Sequence, residues 1–90
     1  MIQQINNINY YYDSSYDSLN IYLGRAHKFY SSESNSGIYL IKEEDSDRLI
    51  GVEILDFSLQ DIAILKKSIP IKFDYEKILS NSSKQNFLVN

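Results

Sequence analysis

Cysteine is absent from this 90-residue chain, which carries one histidine, one proline and three glycines. Without cysteine there is no disulfide scaffold, no thiolate metal site and no cysteine nucleophile. A single histidine, His27, rules out multi-histidine metal centres. The glycines stand alone at positions 24, 37 and 51, so no glycine-rich phosphate loop exists. No G-x-S-x-G elbow accompanies His27, which leaves it without a nucleophile to serve. No apolar run exceeds four residues, against the roughly 20 that carry a helix across a bilayer. The opening MIQQINNINYYY lacks the basic and apolar regions of a signal peptide. A soluble, cytoplasmic protein without membrane contact is expected.

Positive charge is scarce as well. Twelve acidic side chains face nine basic ones, a formal charge of −3. Binding to phosphate backbones rests on clustered Lys and Arg, so nucleic acid is not expected as a direct partner. The imbalance is concentrated: residues 1–56 hold nine acids and four bases, whereas residues 57–90 hold five lysines and three acids. Such asymmetry is either ordinary solvated surface or a means of meeting a charged partner.

What the chain does have is strand-forming apolar mass. Hydrophobic residues make up 43% of it, with eight tyrosines and four phenylalanines. Branched and aromatic side chains pack well on a pleated surface. A domain of this size buries only about 60–65% of its unfolded surface, so its stability margin is thin and a second chain would add to it.

A single domain over 1–90 is expected: a β-rich core over 8–57, a helical part over 58–80 and a frayed tail over 81–90. Residues 8–12 read as a first strand and Leu19–Leu23, alternating apolar and polar, as a second. Asp13–Asp17 supplies turn chemistry between them. Ala26–Ser31 is a weaker strand, Ser31–Gly37 a polar loop and Gly37–Lys42 a further strand. Glu43–Asp47 is a turn. Arg48–Asp56 is the most β-like run, with Ile50, Val52 and Ile54 on one face and Leu49, Glu53 and Leu55 on the other; a strand apolar on both sides is central and covered twice. Ser58 is placed to cap a helix, with Asp61 in its first turn and a Phe57–Ile62 staple. Pro70 ends that helix, because the preceding Ile69 is pushed out of helical geometry. Asp74 caps a second helix to Leu79 that buries Tyr75, Ile78 and Leu79. Within the tail, Phe87-Leu88-Val89 is the one apolar segment. The fold class is α+β: a small antiparallel β-meander of four to five strands packed with one or two short C-terminal helices.

Candidate sites are few. Asp13 and Asp17 lie four residues apart in a turn, where paired carboxylates hold a divalent cation or share a proton, although turn formation accounts for both. Glu43–Asp47 fails as a calcium loop: counted from Asp45, the third oxygen position falls on Leu49 and the sixth residue is not glycine. Glu53 sits mid-strand among apolar neighbours, as a functional carboxylate or as an anchor for a backbone turn. Tyr10-Tyr11-Tyr12 lies in the acidic half and reads as sheet packing rather than a base-stacking platform. No catalytic constellation, metal site or cofactor motif emerges.

Two segments together carry a resemblance. Residues 12–23, YDSSYDSLNIYL, are similar to the opening YD-x-x-x-D-x-L-x-I-x-L of the bacterial family called domain of unknown function 2283. Gly37-Ile38-Tyr39-Leu40 followed by Arg48-Leu49-Ile50-Gly51-Val52-Glu53-Ile54-Leu55-Asp56 resembles its G-I-x-x-D-x-D-G-R-L-V-G-I-E-I-L-D-A half. The likeness covers residues 10–60. Asn20 stands where the family usually has Tyr, and Asp47 where it has the hairpin Gly. The matching positions are Asp13, Asp17, Leu19, Gly51, Glu53 and Asp56, and the family supplies no catalytic role for them. The resemblance implies a small antiparallel sheet with a helix, in stand-alone bacterial proteins suspected as companions of toxin-like proteins.

The expected function is therefore non-enzymatic. A protein–protein interaction module is the leading reading, as a homodimer or an antitoxin- or inhibitor-like binder. The alternative is a metal- or small-ligand-binding protein, with possible hydrolytic activity, built on Asp13, Asp17, Glu53 and Asp56.

Overall fold

Strands with alternating apolar residues seek a common covered face, and here they find it in one six-stranded antiparallel sheet. The computed structural model describes residues 2–80. In chain order the strands are β1 (Gln3–Ile5), β2 (Ile8–Asp13), β3 (Ser18–Tyr22), β4 (Phe29–Asn35), β5 (Ile38–Glu43) and β6 (Leu49–Ile54). Their order across the sheet is β1-β2-β3-β6-β5-β4. Two three-stranded meanders are thus sewn together along β3 and β6, where Leu19 opposes Ile54 and Ile21 opposes Val52. The expected single meander of four to five strands is corrected on both counts. β3 turns away from its sequence neighbour because β6, with three buried aliphatic residues, is the better partner for its buried Leu19 and Ile21.

Three further expectations change. β1 was not foreseen; it pairs with β2 through Asn6 and Asn7, both in the left-handed region at φ 55° and 64°, the twist a two-residue type I′ hairpin requires. The expected polar loop over Ser31–Gly37 is instead mostly strand, since β4 starts three residues later than expected and runs on to Asn35. Ser58 does not cap a helix. Residues Phe57–Leu59 form a single 3₁₀ turn, and helix α1 (Ile62–Ser68) starts at Asp61, whose side chain accepts from the Ala63 amide at 2.9 Å. The Phe57–Ile62 staple consequently has no helix end to fasten.

Helix α1 ends before Pro70, with Lys66 and Lys67 in its last turn as the dipole favours. A second helix, α2, has its described part over 75–80, and Asp74 Oδ1 accepts from the Lys77 amide at 3.2 Å. The expected tail over 81–90, Phe87–Val89 included, lies outside the described residues.

The fold is two layers, α+β. One sheet face presents Tyr10, Leu19, Ile21, Ile38, Val52 and Ile54 to Leu65, Ile69, Phe73, Tyr75 and Ile78. Tyr10 and Phe73 meet edge-on at 5.5 Å, and Tyr12 and Phe57 at 5.7 Å. Each such buried side chain contributes roughly 1.5–3 kcal/mol. The opposite face carries Tyr11, Asn20, Glu53 and Tyr39 in one row across the strands, all four of them half-buried. Among the described residues no helix is long and apolar enough to cross a membrane.

Candidate functional site

The aspartates singled out by the sequence gather at one end of the sheet, and their partners are parts of the fold. Asp13 closes its own turn by accepting from the Ser15 amide at 3.0 Å. Asp17, at φ 51° in the left-handed region, fastens that turn to the 3₁₀ segment. Its Oδ1 accepts from the Tyr12 phenol at 2.6 Å and the Ser58 amide at 3.0 Å, its Oδ2 accepts from the Ser58 hydroxyl at 2.7 Å, and its carbonyl accepts from the Phe57 amide at 2.9 Å. Burial pushes its carboxyl up, but the bonds from Ser58 and Tyr12 outweigh this and hold it below the usual aspartate value. Asp56 precedes the 3₁₀ turn at φ 50°, and its carbonyl accepts from the Leu59 amide at 2.9 Å.

The other motif residues lie in the sheet. Leu19 is fully buried core. Gly51 is where Ile41 folds across β6; a Cβ there would stand 3.2 Å from the Ile21 carbonyl oxygen and 3.5 Å from Ile41 Cδ1. Glu53 is half-buried between Asn20 and Tyr39 on the face opposite the main core. Its side chain forms no hydrogen bond or ion pair among the described residues, so the anchoring role expected for it is not found. Leu49, expected on the same face, packs against the main core instead. Among the described residues no three His, Cys, Asp or Glu side chains come together as a metal site. The structure does not assemble Asp13, Asp17, Glu53 and Asp56 into one. A groove of about 450 Å³ opens beside Ile2, Asn9, Tyr22 and Arg25, and among the described residues Arg25 is the one ionisable group besides a tyrosine in its lining.

One edge of the sheet is the outer side of β4. All seven of its residues are exposed, and Phe29 stands 60% open to water. Among the described residues β4 pairs only with β5, in register Phe29–Glu43, Tyr30–Lys42, Ser31–Ile41, Ser32–Leu40 and Glu33–Tyr39, before a bulge between Glu33 and Asn35. The Glu44 amide bonds the opposing Lys28 carbonyl at 3.0 Å, and bonding alternates along an antiparallel ladder. Tyr30 and Ser32 therefore bond inward to β5, while the amides and carbonyls of Phe29, Ser31 and Glu33 point outward.

Side chains hold this edge in place from behind. The Tyr30 phenol donates to Asp47 Oδ1 at 2.6 Å, a bond that raises the phenol's pKa. Asp47, at φ 58°, adopts in the β5–β6 turn the conformation a glycine would take. Ser34 Oγ donates to the Ser68 carbonyl at the end of α1, and Glu33 Oε2 accepts from the Gly37 amide at 3.3 Å across the β4–β5 turn. Sequence reading missed the edge because Ser31–Asn35 is polar throughout and has no period of two; a length of polar chain between two strands was its one signal. In comparisons with family models, with curated proteins and with solved structures, nothing matches this chain.

Proposed function

We propose that this chain is a small, non-enzymatic protein-binding module of the cytoplasm that engages its partner by strand addition along β4. The observation that carries the reading is a regular edge of five residues, Phe29–Glu33, whose outward backbone groups have no strand partner among the described residues. Exposed edges of this kind are templates for another strand, and folds usually blunt them with Lys, Pro or bulges. β4 has neither Lys nor Pro, and its bulge lies beyond Glu33. The resemblance of residues 10–60 to the domain of unknown function 2283 family agrees with a companion-protein role, of antitoxin or inhibitor type.

The test is a paired capture from native lysate with wild-type and Ser31→Pro baits, both checked for folding by circular dichroism. Proline removes an outward amide and leaves the β5 ladder intact. Proteins retained by wild type are expected to be lost with the proline bait. An identical set of captured proteins refutes the edge as the binding site.

A further inference from the structure

We propose that the strand which adds to β4 is β4 of a second copy, in an antiparallel pair centred on Ser31; this rests on the edge reading above and names its occupant. The outward groups belong to Phe29, Ser31 and Glu33, three positions spaced evenly about Ser31. Running a second copy antiparallel about that centre sets Phe29 opposite the other Glu33, Ser31 opposite its own counterpart, and Glu33 opposite the other Phe29. All three are hydrogen-bonded pairs, and each exchanges two bonds, so about six backbone bonds form. Neighbouring registers do worse. A centre two residues later sets Glu33 against Glu33, a like-charge pair that sheets avoid, and centres at Tyr30 or Ser32 lose one of the three bonded pairs. The ends also match in charge: antiparallel pairing brings the Lys28 end of one strand beside the Glu33 end of the other. Ser31 and Ser32 put only small side chains at the centre of the pair. The bulge after Glu33 limits the pairing to this five-residue segment. Two sheets then become one, and both β4 edges are satisfied by a closed two-fold contact.

The absence of cysteine makes a clean test. Cα atoms in a hydrogen-bonded antiparallel pair lie about 5.5 Å apart, within disulfide range, whereas Ser32 and its counterpart are staggered to about 8 Å, outside it. Full-length Ser31→Cys and Ser32→Cys proteins are oxidised with diamide, which takes up the two thiol hydrogens as the S–S bond forms. Solution mass is measured in parallel for wild type and Ser31→Pro. The expected result is a wild-type mass of twice the 10.5 kDa chain, rapid cross-linking at position 31, at least tenfold slower cross-linking at 32, and a monomeric Ser31→Pro with an unchanged circular dichroism spectrum. A wild-type mass of 10.5 kDa at millimolar concentration, or cross-linking as fast at 32 as at 31, overturns the proposal. A monomer whose lysate partners are still lost with Ser31→Pro refutes self-pairing alone; partners unaffected by the proline refute the edge itself.

Discussion

Replacing Asp17 by alanine removes three hydrogen bonds at once, from the Tyr12 phenol, the Ser58 hydroxyl and the Ser58 amide. Bonds to a charged acceptor contribute about 1.5–3 kcal/mol each when buried. Asp17 is half-exposed, so water recovers part of that, and about 2 kcal/mol for the set is the reasonable sum. Alanine at φ 51° adds about 1 kcal/mol, because it keeps the Cβ crowding and loses the short polar side chain whose local bonding makes aspartate tolerant of the left-handed region. The total, about 3 kcal/mol, is a large share of the roughly 5–13 kcal/mol expected of a domain this long. At about 4–8 °C per kcal/mol, the melting midpoint falls by about 12–24 °C. Asp17→Asn keeps the shape and the tolerance of positive φ, and costs about 1 kcal/mol. The assay is thermal and urea unfolding of both variants, alone and combined with Ser58→Ala. If the effects of Asp17→Ala and Ser58→Ala simply add, the clamp does not exist as described. The sign with pH follows from the lowered folded pKa: this stability is present above the ordinary value of 3.8 and is lost as pH falls through it toward the folded value. Asp17→Asn should flatten that acid limb.

Tyr75 is fully buried and its hydroxyl has no partner among the described residues, so Tyr75→Phe should raise stability by about 1 kcal/mol; a loss in urea titration would show that the hydroxyl has a partner. Burial pushes the Tyr75 phenol up to about 12, so wild-type stability should decline as pH climbs from 10 toward 12, and the variant should decline less. At the β1–β2 turn, Asn7→Val places a branched side chain at φ 64° and should cost about 1–2 kcal/mol, with amide protection lost at Gln3–Ile5 while β3 and β6 stay protected in hydrogen exchange.

Sequence pattern found the elements whose reasons are local. Ile50, Val52 and Ile54 alternate because one face of β6 is core, and Asp74 announces α2 because a short acceptor is needed at a helix start. What pattern did not find depends on partners elsewhere. β4 is a strand because β5 offers it a ladder, and its own Ser-Ser-Glu-Ser-Asn run carries no periodic signal. The start of α1 moved from Ser58 to Asp61 because Ser58 is already occupied by Asp17, 41 residues earlier in the chain. The same holds for the candidate site: the aspartates legible in the sequence prove to be joints of the fold, whereas the exposed edge has no motif.

The seam between β3 and β6 has a kinetic consequence. Each meander closes between sequence neighbours, in steps that take microseconds, but Ile21 and Val52 lie about 30 residues apart and meet only after that length of chain has been looped. In any conformation with that seam unmade, the apolar stripes of β3 and β6 are open to water. Crossing that barrier places this small chain among the slower folders for its size. Its most aggregation-prone moment is the interval before the two halves find each other, when β6 is an unprotected edge.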